Sequence, residues 1–422
     1  MSAFKHPSRL ALEPVPENIT NERLSCTDDH LPDSVFKILD PDSGRMYGFA
    51  VVDDTRRGPG LGGIRLARDL TLEEVKRLAR VMTLKNSGAN LPYGGGKSGL
   101  IGDPSFLNQN PRLKSDLISM FAEAIFELDS YIPAPDMGTD ERDLQIIHEV
   151  YSRHGAGSQD FRGVTGRPIE NGGIPVDDWG LTAHGLLAAS ETLEKIDDQF
   201  KIKNSSVVVQ GYGNVGSCTA IKLQQAGATI VGASDIHAGL WNPQGLNTDE
   251  LNRVRHSSQG LQNYTGKIQK KFVGKKLDWL MEAPCELLVP AARPDSITSR
   301  NADRIQCKVI LQGANTPSNK MTEYYLKNRR GILSLNDFIV NVGGVVGCAV
   351  EIKMAADPEY RDKVRETGTR TYLEDLIYST VSRNVEEIFQ RLKGSPQDTL
   401  FREQALELVE ERLNSHQKEC WL

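Results

Sequence analysis

No stretch of this 422-residue sequence is apolar for long enough to cross a bilayer. The longest apolar runs, such as 340–350, are interrupted by glycine and polar residues and fall well short of the ~20 residues a spanning helix needs. The first twenty residues hold Lys5, Arg9, Glu13 and Glu17 but no apolar core, so no secretory signal is expected. Cysteine is sparse and scattered: Cys26, Cys218, Cys285, Cys307, Cys348 and Cys420 form no CxxC pair and no Cys/His cluster at zinc spacing. The expectation is therefore no metal, and free thiols in a reducing cytoplasm. Positive charge is not in excess either. Lys and Arg number 50 against 56 Asp and Glu, a net charge of −6, so neither nucleic acid nor a membrane surface is an expected partner.

What is present is an ordinary globular composition, 39% hydrophobic and 25% charged, in a chain long enough for two domains. Near the start, strand-like segments at Ser34–Ile38 and Met46–Val52 precede a capping-box signal, Thr71-Leu-Glu-Glu74. Leu72, Val75, Leu78, Ala79 and Met82 follow that box at helical spacing. Ile118–Leu128 reads as a further helix. The stretch Gly163–Gly180 is rich in glycine and proline and reads as a long functional loop near a domain boundary. Beyond it lie short apolar runs at Ser206–Gln210, Thr229–Ala233, Glu286–Val289, Val309–Gln312 and Gly331–Leu335, several of them separated by helix-length segments. That alternation predicts βαβ units in a doubly wound parallel sheet. The tail, Tyr372–Asn414, reads as helical and amphipathic, packing back on the first domain.

The strongest motif is Gly211-Tyr-Gly213-Asn214-Val215-Gly216. A GxGxxG hexad alone is weak evidence, because glycine-rich hexads also make ordinary turns. Here it directly follows the strand Val207–Val209 and opens a helix-like run, Val215–Ala226. The next strand leads into Asp235, about 20 residues past the last glycine, which is the order a Rossmann site requires. The glycines serve the tight turn, the approach of a pyrophosphate and helix–strand packing, and the helix start offers free N–H groups to phosphate. Asp235 can accept hydrogen bonds from the adenosine ribose hydroxyls. Its charge favours NAD, and NADP stays open.

Three further residues have the right chemistry. Lys85 lies on the apolar stripe of the capped helix, where an ammonium must reach a polar partner or snorkel at the helix end. Lys97 follows Gly94-Gly-Gly96. The Gly96-Lys-Ser98 triplet is not a P-loop, because Leu91 stands where that motif needs its first glycine. The glycines could let backbone crowd a small ligand while Lys97, its pKa lowered by burial, acts as a general base; a solvated loop lysine is the plain alternative. Asp136, in Pro133-Ala-Pro-Asp-Met-Gly-Thr139, is either a functional carboxylate or the cap of the helix that follows.

These segments carry a resemblance. Gly58-Pro-Gly-Leu61-Gly62-Gly63-Ile-Arg65, Met82-Thr-Leu-Lys85-Asn86, Pro92-Tyr-Gly-Gly-Gly-Lys97, the Asp136 loop, the Gly211 hexad, Gln312-Gly-Ala-Asn315 and Asn341-Val-Gly-Gly-Val345 together resemble the Glu/Leu/Phe/Val dehydrogenase family over about residues 45 to 352. The resemblance implies reversible oxidative deamination of an L-amino acid to a 2-oxo acid and ammonia. It implies a substrate and oligomerisation domain of α/β type, 1–180 plus 365–422, and a Rossmann domain, 181–364, in a homo-oligomer that the family makes hexameric. In that scheme Lys85 holds the substrate α-carboxylate, Lys97 is the general base that activates water, and Asp136 shuttles a proton at the substrate nitrogen. Asn315 and Asn341 line the nicotinamide and substrate cleft, and Thr182 lies beside the nicotinamide amide.

The chain departs from the glutamate enzymes at two places. They carry a lysine before the Gly62–Gly63 pair and a serine seven residues past the asparagine matching Asn341, both on the substrate's side-chain carboxylate. Here Leu61 and Cys348 stand there. An apolar Leu/Val/Phe-type substrate is the resulting expectation. The alternatives are a glutamate dehydrogenase whose carboxylate is held by another cation, such as Arg65, and a catalytically silent NAD-binding regulator. A hydroxy-acid dehydrogenase is disfavoured, because neither His148 nor His184 lies in the motif such enzymes use.

Overall fold

The computed structural model describes residues 6–16, 30–155 and 163–415; Cys26, Cys420, Lys5 and Glu17 lie outside them. The chain divides into two compact units. One takes the residues up to Pro175 with Val345–Thr369 and the chain from Glu411; the other takes Val176–Gly344 and Arg370–Glu410.

The first unit is built on a six-stranded mixed sheet. Its strands are β1 (Ala11–Pro14), β2 (Ser34–Asp40), β3 (Arg45–Asp54), β4 (Gly60–Ala67), β5 (Gly94–Ile101) and β6 (Tyr131–Pro135), in the spatial order β1-β2-β3-β5-β4-β6. β4 runs parallel to both β5 and β6, while β3 pairs β5 antiparallel. One face buries Ile38, Tyr47, Ile64, Leu66 and Leu100 against Leu117, Phe121, Leu144 and Ile147 of the helices Pro111–Ile125 and Glu141–Arg153. The other face carries Phe49 and Val51 under Val75 and Ala79 of the helix Leu72–Gly88. Neither β4 nor β5 is signalled by β-propensity, since both are rich in glycine. The glycines of β5 also do not crowd a ligand. A Cβ at Gly95 would lie 2.2 Å from Thr83 N and 2.4 Å from Ala79 O, so this glycine lets the helix Leu72–Gly88 settle onto the strand. Asn86 fastens the same contact, donating from Nδ2 to Gly94 O at 2.6 Å and Leu61 O at 3.3 Å.

The second unit holds a seven-stranded sheet of β7 (Ser206–Gln210), β8 (Thr229–Ser234), β9 (Gly239–Trp241), β10 (Lys270–Phe272), β11 (Leu287–Pro290), β12 (Val309–Leu311) and β13 (Leu333–Leu335). The order is β10-β9-β8-β7-β11-β12-β13. The five strands from β8 to β13 in that order are parallel, as the alternation of apolar runs and helices predicts. β9 and β10 extend the sheet antiparallel and are too short to show in the pattern. The order reverses between β7 and β11. In doubly wound sheets such a switch point, at the carboxyl ends of the strands, is where ligands bind.

Two expectations need correction. The helix predicted at Ile118–Leu128 spans Pro111–Ile125, with Pro111 in its first turn. The assignment of 365–422 to the first domain also fails over most of its length. Residues 370–410 join the second unit, because Ile377 and Val381 of the helix Thr369–Lys393 pack against Gly185 and Arg402 pairs with Glu323. Conversely Val345–Thr369 joins the first unit. There the buried Glu351 accepts hydrogen bonds from the N–H groups of Gly166 and Ile174, both at 2.9 Å. The Gly163–Gly180 stretch, with a single 3₁₀ turn at Ile169–Asn171, crosses the boundary between the units at Pro175.

Candidate active site

In the first unit Lys97 is on β5 rather than in a loop, paired across the sheet with Val51, and is 3% exposed. Its Nζ lies 2.7 Å from Asp136 Oδ2. Asp136 follows β6 directly and caps no helix, since Asp140 fills that place in a capping box with Asp143. Thr139 holds the Asp136 turn in place. Its hydroxyl accepts from Asp136 N at 3.0 Å and lies 2.8 Å from Ile64 O on β4. Gly63 is glycine because the two functional side chains pass over it. A Cβ there would lie 2.7 Å from Asp136 Cβ and 3.1 Å from Lys97 Nζ. Gly62 lies beside it on β4, against Gly96 O of β5.

Sequence reasoning assigned no catalytic setting to Arg65 and Glu74, yet both complete this cluster. Arg65, 5% exposed, donates from Nε to Asp136 Oδ2 at 3.1 Å and from an Nη to Glu74 Oε1 at 2.5 Å. The capping box is accordingly half made. Thr71 Oγ1 accepts from Glu74 N, while the Glu74 carboxylate serves Arg65. The signal available in sequence was Glu74 one turn into a helix that also presents Lys85.

Electrostatics follow from this arrangement. Burial pushes the Lys97 ammonium below its usual range; Asp136 opposes the shift, and Arg65 adds to it. Burial alone would raise the Asp136 carboxyl, but Lys97 and Arg65 overcome that and hold it well below the usual carboxylate range. The pair therefore sets a lysine whose charge is disfavoured by burial beside a carboxylate that stays ionised. Lys85 lies buried in the last turn of the helix Leu72–Gly88, the helix that covers β4 and β5. Leu61 is on β4, 1% exposed, and by strand alternation shares the face of Gly63 and Arg65. Cys348 is on the helix Gly343–Ala356, where its carbonyl accepts from Thr165 Oγ1.

The second unit gathers the residues expected to hold a dinucleotide. Gly211 adopts φ +90°, which a side chain resists, and turns the chain off β7. A Cβ at Gly216 would lie 1.9 Å from Gly211 O, so helix and strand meet only at glycine. Around Gly213 no atom lies within 4 Å of where a Cβ would be, which leaves the backbone open to a ligand. Asn214 and Val215 start the helix Asn214–Gln225. Its N-cap, Gly213, supplies no side-chain cap, so first-turn N–H groups are free for phosphate. The neighbouring turns are in contact. Gly211 abuts Ala292 after β11, and Gly313 N and Ala314 N donate to Pro290 O after β12. Asn315 follows in the same turn. Asn341 Nδ2 donates to Gly313 O at 3.1 Å, and Thr182, in the first turn of the helix Leu181–Ile196, faces Gly344. Gln210 Oε1 and Asn341 Oδ1 are buried acceptors that no group among the described residues satisfies. Open backbone at Gly213, an uncapped helix start and orphaned acceptors together fit a nicotinamide dinucleotide.

Asp235 differs from expectation. Its Oδ1 accepts from His237 N and Ala238 N, both at 2.8 Å, and its Oδ2 from Leu261 N at 2.6 Å. Of the roughly four lone-pair positions on a carboxylate, three are filled by backbone, which leaves one for a ribose hydroxyl rather than a pair. Among the described residues, Cys218, Cys285 and Cys307 are free thiols, no His/Cys/Asp/Glu triad has metal-site geometry, and no helix is long and apolar enough to cross a membrane.

Comparison with known proteins agrees with this geometry. The family model described as Glutamate/Leucine/Phenylalanine/Valine dehydrogenase matches residues 172–406, and the Glu/Leu/Phe/Val dehydrogenase dimerisation-domain model matches residues 32–153. The chain is 36% identical over 335 residues to the glutamate dehydrogenase of Aeropyrum pernix, covering 76% of each. It is 35% identical over 292 residues to the catabolic NAD-specific glutamate dehydrogenase of Bacillus subtilis, covering 68% of this chain and 66% of that one. In structure it resembles the hetero-hexameric glutamate dehydrogenase of Thermus thermophilus in a leucine-bound form. There the TM-score is 0.72 and the identity 26%, with 96% of this chain and 88% of that one covered. The chain belongs to the Glu/Leu/Phe/Val dehydrogenase family, NAD(P)-dependent oxidoreductases that act on the CH–NH2 group of amino acids.

Proposed function

We propose that this chain interconverts an L-amino acid with an apolar side chain and its 2-oxo acid and ammonia, using NAD in preference to NADP. The observation that carries the substrate assignment is the engagement of Arg65. With its guanidinium spent on Asp136 and Glu74, it is not available as a substitute for the lysine that Leu61 replaces. A side-chain carboxylate set against Leu61 and Cys348 would lose its hydration without a charged partner, a cost of about several kcal/mol. An aliphatic or aromatic side chain instead gains ~25 cal/mol per Å² of apolar surface removed from water.

In this reading Lys85 receives the α-carboxylate. Asp136, held ionised, takes a proton from the substrate nitrogen, and neutral Lys97 draws a proton from the water that attacks the iminium carbon. A bound nicotinamide ring supplies the hydride acceptor. We place the protein in the cytoplasm as a homo-oligomer, hexameric as in the family. The dimerisation-domain match over 32–153 supports assembly, and the free thiols suit a reducing compartment.

The rival reading is glutamate, favoured by the names of the 35–36% identical relatives. Leu61→Lys combined with Cys348→Ser separates the two. The double variant should move kcat/KM from apolar 2-oxo acids towards 2-oxoglutarate by about tenfold or more, the effect of one restored charged contact. A variant that leaves the ratio unchanged removes Leu61 and Cys348 from substrate selection.

Coenzyme choice has its own test. Asp235→Ser should narrow the NAD preference by removing a charge that repels a 2′-phosphate. It should also lower Tm, because the N–H groups of His237, Ala238 and Leu261 lose their acceptor. A higher wild-type kcat/KM with NADP than with NAD would overturn this part of the proposal.

A further inference from the structure

The buried polar network behind the Gly313–Thr316 turn has no part in the chemistry described above. Glu323, on the helix Lys320–Arg330, is 2% exposed, yet its carboxylate is surrounded by donors. Arg402 reaches it from the start of the helix Phe401–Asn414, nearly eighty residues on, and binds it side-on with two donors of one guanidinium edge, Nε at 2.8 Å to Oε2 and an Nη at 2.7 Å to Oε1. Ser318 Oγ and Gln312 Nε2 each lie 2.7 Å from Oε1, and Asn336 Nδ2 reaches both oxygens. Burial alone would raise this carboxyl. Arg402 and the hydrogen bonds from Arg402, Ser318 and Asn336 bring it below its ordinary range, so the pair stays ionic.

Two partners of Glu323 in this network flank one turn, and the other two tie into it. Gln312 is the residue before Gly313, and Ser318 comes two after Thr316. Arg402 also donates to Ser318 O at 3.2 Å. Gln312 Oε1 accepts from Asp337 N, and Asp337 Oδ2 in turn accepts from Thr316 N at 2.8 Å. Thr316 has φ +44°, a left-handed conformation that a β-branched residue adopts only when its surroundings impose it. Asn315, beside it, stands at the carboxyl end of β12, next to the Gly211 turn through Pro290, Ala291 and Ala292. A buried, bidentate ion pair with this many satisfied partners is a costly way to stabilise a helix end, and a suitable way to fix one backbone geometry.

We infer that the Arg402–Glu323 pair is a positioning device for the nicotinamide half of the dinucleotide site, acting through the strained Asn315–Thr316 turn. The inference rests on the dinucleotide reading of the Gly211 loop. It predicts that damage to the pair weakens recognition of the nicotinamide end and spares the adenosine diphosphate end. ADP-ribose has the adenosine diphosphate and a terminal ribose but no nicotinamide, so it is the internal control.

Dissociation constants for NADH and ADP-ribose are measured for the full-length wild type, Arg402→Met, Arg402→Lys and Glu323→Gln, at a temperature where thermal melts show each to be folded. Arg402→Met should bind NADH about tenfold more weakly, the effect of one misplaced hydrogen bond, with ADP-ribose affinity unchanged. Arg402→Lys should recover part of the loss, since it restores charge without the bidentate fork. Should Arg402→Met fail to fold, Arg402→Lys and Glu323→Gln carry the same comparison through their NADH to ADP-ribose ratio. An equal loss of both ligands would show a merely structural pair, and no loss of either would show no role; both outcomes overturn the inference. A wild type that binds neither NADH nor ADP-ribose would instead refute the dinucleotide reading beneath it.

Discussion

Lys97→Ala is expected to reduce kcat by about 10² to 10⁴-fold while NADH binding is retained, the range a positioned acid–base group contributes. The expectation comes from placement. Lys97 points from the middle of a buried strand, with its Nζ 2.7 Å from Asp136 and its pKa brought down by burial. A lysine in water would be protonated at neutral pH and useless as a base. A lysine on β5 whose charge is disfavoured by burial gives up its proton more readily than one in water. The substitution removes the base and leaves the Gly211 turn untouched, because the two lie in different compact units. NADH affinity is therefore the control that separates lost chemistry from lost structure. Near-normal turnover in a folded Lys97→Ala protein would remove this lysine from the mechanism.

Asp136→Asn is expected to cost a similar factor, about 10² to 10⁴ in kcat, and to move the pH profile in a defined direction. The Asp136 carboxylate raises the Lys97 pKa, against the lowering by burial and by Arg65. An uncharged amide abolishes the raising influence only, so the Lys97 pKa falls further. Activity that requires neutral Lys97 rises as pH passes upward through that pKa. In the variant this ascending limb should lie at lower pH than in the wild type, even though the plateau is much reduced. An unchanged limb would mean that another group sets the profile. The variant also leaves Arg65 with Glu74 alone, so a lower Tm is expected and folding is checked at each pH.

How much of this was legible in sequence differs between the two units for physical reasons. The Rossmann sheet announces itself because its central strands are buried on both faces and read as short apolar runs, and the Gly211 turn needs glycine at fixed places. In the first unit the strands that carry the chemistry, β4 and β5, are among the least strand-like segments of the chain. Their glycines answer to a helix packed at backbone distance, as at Gly95, and to crossing side chains, as at Gly63. Local propensity cannot show that. In sequence Arg65 reads only as a candidate holder of a substrate carboxylate and Glu74 only as a capping residue, because their meeting joins β4 to the helix Leu72–Gly88, a tertiary contact. Asp235 was found by its spacing, but the three backbone donors that occupy it include Leu261, far along the chain. The tail was recognised as helical, yet its allegiance to the second unit depends on Ile377 and Val381 meeting Gly185, and on the Arg402–Glu323 pair.

The central claim is reductive amination of an apolar 2-oxo acid, and steady-state NADH oxidation with ammonium tests it most directly. The purified protein is assayed with 4-methyl-2-oxopentanoate, 3-methyl-2-oxobutanoate, phenylpyruvate and 2-oxoglutarate. The expected result is ammonium-dependent NADH consumption with at least one apolar acid, at a kcat/KM about tenfold or more above that for 2-oxoglutarate, a difference of ~1.4 kcal/mol in transition-state stabilisation. A higher kcat/KM for 2-oxoglutarate would contradict the substrate assignment, and no ammonium-dependent NADH consumption with any of the four would contradict the activity itself.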